Sequence, residues 1–415
     1  MITLIQNSRQ LFNLTDRQAE ASVRDNAAFQ VFCGRGLIDP WHVPDHTAIE
    51  SFRSRLLPET QRALANHLAV QARTLKYANP ATLDIDSTVQ EANIAWPATA
   101  NLLVKVAGLA KRFVPFFKQC KDTLQRPYSI NFKKLKALAF RHFLSKRAGE
   151  TVYSLTWLKT LWREVFSAVY PVLKDSYQLL KPLACSRYGR LRRAMQQLEW
   201  QGQRLLSRVY HELFEETRVG QPIYSLHARE IACFNKNKLN RKKYYGRAYQ
   251  LGRINGNFMM VGACTSLHMP DAKSLPALVK DHEDLFGKGT LQSLATDKGY
   301  YAHSNQRLLE TKGIPEIGLA RPAHYQNISQ KQSCPEVDKK LHCRRAGIEP
   351  LIGHLKRSWQ MGRSRMKSDM TTLSAGYASV LGFNLRQLKR YVTGEVYPKS
   401  QNLPKVADST AVLTQ

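Results

Sequence analysis

IYSLHAREIACF (223–234), YYGRAYQLGRI (244–254) and GNFMMVGACTSL (256–267) follow one another closely, and their apolar residues alternate or run in groups of strand length. Asn255-Gly256, between the second and third, predicts a hairpin, because both residues tolerate the positive φ of a tight turn. Downstream the period alternates. DAKSLPALVKDHEDLFG (271–287) reads as a helix, LQSLATD (291–297) as a strand, SNQRLLETKG (304–313) as a helix and EIGLARP (316–322) as a strand. A long helical stretch from about Arg344 to Val392 closes the series. Three strands followed by alternating helix and strand predict an α/β class fold, a mixed sheet flanked by helices.

Outward from this block the chain changes character. Residues 104–222 are basic and periodic, with KLKALAFRHFLSKR (134–147) and YGRLRRAMQQLEWQGQRLLSRVYHELFEE (188–216), and carry no strand signal. Before them, residues 81–103, centred on ATLDIDSTVQEANIAWP, predict a short strand running into a turn at Pro97. Residues 1–80 predict helices, with Thr15 and Asp45 as N-caps. The residues from 393 to 415 are polar and predict a flexible tail.

At 415 residues the chain is long for one domain. Its 43% hydrophobic content excludes a collagen-like or low-complexity chain. The unusual quantity is charge. Sixty-two Lys and Arg against 32 Asp and Glu give a net +30, which repels itself in the compact state and calls for a polyanionic partner. Nucleic acid is the leading candidate; no apolar run approaches membrane-spanning length, so no membrane partner is expected. Seven scattered cysteines without a CxxC pair suit free thiols in a cytoplasmic protein.

In so basic a chain, acids at strand ends ask for an explanation. Asp86 follows the apolar ATLDI run, and Asp297 closes LQSLATD. Ligands of open α/β sheets gather at the carboxyl ends of strands, so neighbouring strands would bring the two carboxylates together. In the C-terminal helical stretch Arg345, Glu349 and Lys356 fall on one face at offsets of four and seven. Two Asp and one Glu, oxygen donors alone, suit Mg²⁺ or Mn²⁺ rather than zinc.

DSTVQEANIAWP (86–97), ATDKGYY (295–301) and HCRRAGIEPLIGHLK (342–356) resemble the three acidic motifs of bacterial insertion-sequence DDE transposases. The last is close to the signature Tyr-x2-Arg-x3-Glu-x6-Lys, matched at Arg345, Glu349 and Lys356, with His342 in place of the Tyr. The resemblance runs from about residue 14 to about residue 392. It implies an RNase H-like core built from residues 81–103 and 223–392, interrupted after its first strand by the all-helical insertion 104–222. It further implies Asp86, Asp297 and Glu349 as catalytic ligands of two divalent ions, Mg²⁺ or Mn²⁺. Double-stranded DNA, as element ends and target, would be the partner, bound by a homodimer in the nucleoid. Relatives carry more helical sequence before LTDRQ, so part of a DNA-binding region is expected to be missing from residues 1–80.

Arg345 and Lys356 are expected on phosphates near the cleaved end, with Lys298 beside Asp297. The dense run KNKLNRKK supplies Lys236, Lys238, Arg241, Lys242 and Lys243 for the DNA backbone, contacts that position a protein without reading sequence. Each acid also has an ordinary reading: Asp86 as a cap, Asp297 as a turn residue, Glu349 as the surface partner of Arg345. Asp84 shares a strand face with Asp86, and only the resemblance selects between them. Two other functions stay open: a metal-dependent nuclease of the same fold, and a non-catalytic DNA-binding remnant, inactive or repurposed.

Overall fold

The computed structural model describes residues 2–36, 42–94, 98–115, 130–180, 198–228, 230–238, 241–264, 269–320, 335–366 and 368–396, with isolated residues between 189 and 196. The chain divides into two compact units. One comprises residues 1–91, 246–366 and 370–415; the other comprises 92–245 and 367–369.

The first unit begins with α1 (Ile2–Leu11), α2 (Asp16–Asp25), α3 (Ala27–Phe32) and α4 (His46–Arg55). They close around Ile5, Ala19, Val23, Cys33 and Ile49. Thr15 caps α2 as expected: its hydroxyl accepts from the Gln18 amide at 3.2 Å while Gln18 Oε1 accepts from the Thr15 amide at 2.9 Å. Asp45 Oδ1 accepts from the Ala48 amide at 2.7 Å and starts α4. The α5 helix (Pro58–Thr74) leads into the sheet.

Six strands form one mixed sheet: β1 (Asn79–Glu91), β2 (Ala232–Lys238), β3 (Arg241–Asn255), β4 (Phe258–Val261), β5 (Ser293–Thr296) and β6 (Glu316–Leu319). Their order is β2-β3-β1-β5-β6, with β4 on β3. The pairs β1/β3 and β3/β4 are antiparallel, the second a hairpin, whereas β1/β5 and β5/β6 are parallel. The crossover from β4 to β5 carries α10 (Asp271–Phe286), and the one from β5 to β6 carries α11 (His303–Thr311). Numbers α6 to α9 belong to the second unit. At the expected hairpin, Gly256 has φ 90° and a side chain there would meet the Tyr77 carbonyl at 2.2 Å, so glycine is required twice over.

The sheet is buried on both faces, which explains why FMMV (258–261) reads as an unbroken apolar run. Phe258 and Met260 join Leu83, Ile85, Leu278 and Leu294 in one cluster. Met259 and Val261 join Tyr249, Leu251, Ile348 and Tyr377 in another.

Three expectations change. The first strand is 13 residues long and continues past Asp86 to Glu91. The segment 223–231 carries no strand; β2 begins at Ala232. The long C-terminal helix is three helices, α12 (Pro335–Ala346), α13 (Ile348–Ser358) and α14 (Asp369–Val392). The break after Ser358 has a cause in β1: the Glu91 amide donates to the Gly362 carbonyl at 3.1 Å, and the Ser364 amide to the Glu91 carbonyl at 2.7 Å. Pairing with the end of β1 thus replaces helical hydrogen bonds over this stretch.

The second unit is chiefly helical, with α6 (Thr99–Lys111), α7 (Phe132–Arg147), α8 (Thr151–Leu180) and α9 (Gln203–Phe214). Leu103, Val106, Leu135, Leu161, Val165, Leu205 and Val209 form its core. Trp162 belongs there too, its indole N–H donating to the Leu206 carbonyl at 2.9 Å. Among the described residues no helix is long and apolar enough to cross a membrane.

Candidate active site

The parallel pairing of β1 with β5 sets Asp84 opposite Ala295. Two residues further along each strand come Asp86 and Asp297, on the same face by the two-residue period. Asp297 lies just past the last residue of β5 and opens a short 3₁₀ turn, Lys298–Tyr300. Both aspartates divide their oxygens in the same way. Asp86 Oδ1 accepts from the Ser87 amide, and Asp297 Oδ1 from the Lys298 amide, each at 2.7 Å. The Oδ2 atoms are left to face Arg345.

Arg345 is the convergence point. Its Nη2 is 3.0 Å from Asp86 Oδ2 and 3.9 Å from Asp297 Oδ2, and its Nη1 donates to Glu349 Oε1 at 2.9 Å. The three carboxylates expected from the sequence are therefore brought to one guanidinium. Because the aspartate oxygens share Nη2 as neighbour, they are at most about 7 Å apart, inside the roughly 8 Å that two bridging ions and their oxygen ligands span. Asp86 and Arg345 are largely buried, while the side chains of Asp297 and Glu349 are 54% and 60% exposed, so the cluster opens to solvent on their side.

The donor set is all carboxylate oxygen, which fits a hard divalent ion. As the side chains stand, the guanidinium supplies the positive charge. Among the described residues no three Asp, Glu, His or Cys side chains are grouped closely enough to hold an ion directly.

A fourth carboxylate stands beside the cluster and was not expected. Asp271, first residue of α10, accepts from Ser87 Oγ at 3.1 Å through Oδ2 and from Gln250 Nε2 at 3.0 Å through Oδ1. Gln250 Oε1 in turn accepts the Tyr300 hydroxyl proton. A side chain at Gly299 would stand 3.3 Å from Asp271 Oδ2, so the turn after Asp297 packs directly on this acid. Burial, then the charges of Asp271 and Asp86, push the Tyr300 hydroxyl well above its usual range. It stays a protonated donor within the core. Only Pro270 before Asp271 hinted at a helix start, and no motif marks this acid.

The basic residues are more dispersed. Lys298 is exposed beside Asp297, and Lys356 is half-buried in the last turn of α13, two turns on from Glu349. Lys243 is exposed near the start of β3. The side chains of Lys236, Lys238, Arg241 and Lys242 lie outside the described residues.

Residues 2–55 match the family model described as Transposase domain (DUF772), the segment that folds as α1 to α4. That match supports a transposase role for the chain. No curated protein and no solved structure matches it.

Proposed function

We propose that this chain is a DDE-type transposase that cuts the ends of a DNA element and joins them to target DNA. The observation that carries the reading is the convergence of Asp86, Asp297 and Glu349 on Arg345, from two adjacent strands and a helix distant in sequence. The transposase match over residues 2–55 favours it over a nuclease that cuts without joining.

Asp86, Asp297 and Glu349 would hold Mg²⁺ or Mn²⁺, most simply as a pair of ions. Bound there, divalent ions lower the pKa of an attacking water or 3′-hydroxyl and steady the leaving oxygen of a phosphodiester. The chain's own part is positioning. The Oδ1 hydrogen bonds of Asp86 and Asp297 fix the two carboxylates with their Oδ2 atoms toward Arg345, the side on which an ion would be held. Arg345 balances their charge in the metal-free protein and, once ions take its place, turns its guanidinium to an arriving phosphate as a two-pronged donor. Lys298 and Lys356 add phosphate contacts near the acids. Lys236, Lys238, Arg241, Lys242 and Lys243 hold the DNA backbone, in keeping with the net charge of +30. Two DNA ends must be paired before joining, so the working form is a dimer assembled on DNA.

The test is an end-cleavage and strand-transfer assay with Mg²⁺ or Mn²⁺, on DNA carrying the sequences that flank this gene. It compares the wild type with Asp297→Asn, which keeps the acceptor for Lys298 but removes the ligand charge. Metal-dependent cutting and joining, lost in the variant, is the expected result. Cutting without joining makes the protein a nuclease, and equal DNA binding by both with no cutting makes it a binding remnant.

A further inference from the structure

Two residues before Asp86, on the same strand face, Asp84 is buried with a side chain only 3% exposed. It carries no assigned role, yet it sits between two arginines. Arg253, directly opposite on β3, donates to Asp84 Oδ2 from Nε at 3.0 Å and from Nη2. Arg344 Nε donates to Asp84 Oδ1 at 2.8 Å, and its Nη1 to Ser293 Oγ at 2.6 Å. So paired a carboxylate in the interior is an expensive device, because apolar residues of similar volume often serve stability as well.

Its geometry shows what it holds. Arg253 Nη2 also donates to the backbone carbonyl of Arg344, at the end of α12. The guanidinium lies hard against Gly347, where an added Cβ would be 2.3 Å from Nη1 and 3.1 Å from Cζ. Gly347 is the joint between α12 and α13, flanked by Arg345 on one side and Glu349 on the other. One planar side chain, fixed by Asp84, thereby sets the position of the joint that carries both groups.

We infer that Arg253, held by Asp84, is a positioning residue that places Glu349 and Arg345 against the two strand aspartates, and that Gly347 is glycine to admit it. Planarity matters here: a lysine could pair with Asp84 but could not present the same fork to Asp84 and the Arg344 carbonyl together. The inference rests on Glu349 and the aspartates being the metal ligands.

Gly347→Ala is the sharpest test. Gly347 has φ −66° and ψ −11°, which alanine adopts without strain, so the substitution acts through the overlap with Arg253 and removes no charge. Mn²⁺ binding to the full-length, DNA-free chain is titrated by electron paramagnetic resonance of the free ion, beside thermal unfolding, for wild type, Gly347→Ala, Asp84→Asn and Asp297→Asn. Wild-type binding that is lost in Asp297→Asn establishes the acids as the site. Gly347→Ala should then bind Mn²⁺ about 10- to 100-fold more weakly while still folded, the usual effect of disturbing a ligand's supporting partners. Asp84→Asn should shift affinity the same way; if it fails to fold, Gly347→Ala still decides. Wild-type affinity in folded Gly347→Ala overturns the positioning role and leaves the clamp a structural tie. No Mn²⁺ binding by the wild type overturns the metal reading itself, and with it this inference.

Discussion

Arg345 Nη1 and Glu349 Oε1 are 2.9 Å apart although the helix is interrupted between them at Gly347. Within one continuous helix an i, i+4 pair of this kind contributes about 0.2–0.5 kcal/mol and means little. Here the other terminal nitrogen of the same guanidinium faces Asp86 and Asp297. A single cation therefore ties the start of α13 to Asp86 within β1 and to Asp297 just past the end of β5.

Replacing that cation should expose the repulsion it masks. Arg345→Gln is expected to unfold at a lower temperature than the wild type in chelator, with Asp86 left largely buried and without its charged partner. Mn²⁺ should raise the unfolding temperature of the variant more than that of the wild type, since an ion no longer competes with the guanidinium. DNA binding should weaken, with the slope of log K against log salt reduced by about 1, as for one lost phosphate contact. Thermal scans with and without Mn²⁺ and binding isotherms at several salt concentrations check both halves. An unchanged salt slope would confine Arg345 to the acids.

Asp271 organises the floor of the same cluster. Asp271→Asn replaces one of two acceptor oxygens by a donor, so Ser87 Oγ or Gln250 Nε2 loses its partner. Loss of a hydrogen bond to a charged group costs about 1.5–3 kcal/mol, and urea unfolding should show a decrease of that order. Ser87 adjoins Asp86, so cleavage should fall as well, in contrast to a distant substitution of equal stability cost.

Much of the sheet was legible because its strands alternate or run apolar at strand length and the β3/β4 turn carries Asn255-Gly256, signals that depend on neighbours alone. Thr15 and Asp45 were legible as caps for the same reason. The extra length of β1 was not, because residues 87–91 owe their pairing to β3, more than 150 positions away. Nor was the break at 359–368, which depends on the backbone of Glu91. In the site, motif spacing pointed to Asp86, Asp297, Glu349 and Arg345, while Asp84 and Asp271 carry no local mark. Their roles arise only when Arg253 and Gln250 come opposite them across the β1/β3 ladder or the start of α10.

The packing of α14 on the sheet gives a prediction free of the chemistry. Tyr249 is fully buried, and its hydroxyl donates to the Leu373 carbonyl at 3.0 Å. A methyl group at Gly376 would fall 2.1 Å from Tyr249 Cζ. Gly376→Ala gains helix propensity but overfills this contact, and overpacking of a dense core typically costs about 1–3 kcal/mol. A lower urea midpoint is expected. A higher midpoint would mean that the Tyr249 ring can move aside at little cost.

His282 gives the pH dependence. It is fully buried on α10, with Nε2 donating to the Pro80 carbonyl at 2.8 Å. Burial lowers its pKa below 6.5, only partly opposed by the Pro80 carbonyl and Glu283. The unfolded chain therefore binds a proton at a pH where the folded chain does not, and stability rises with pH across that window. Above about pH 7 both states are neutral and His282 contributes no slope; below roughly 6.5 the unfolded state gains a proton first and stability falls until the folded value is passed. The lowered carboxyl of Glu20 acts only below its usual 4.5, while His354, also lowered from 6.5 by burial, adds a slope of the same sign that is common to both proteins compared. His282→Gln keeps an N–H donor without a titrating ring, so its unfolding temperature should vary less between pH 7 and 5 than that of the wild type. Parallel curves for the two proteins over that interval would assign the acid sensitivity to other groups.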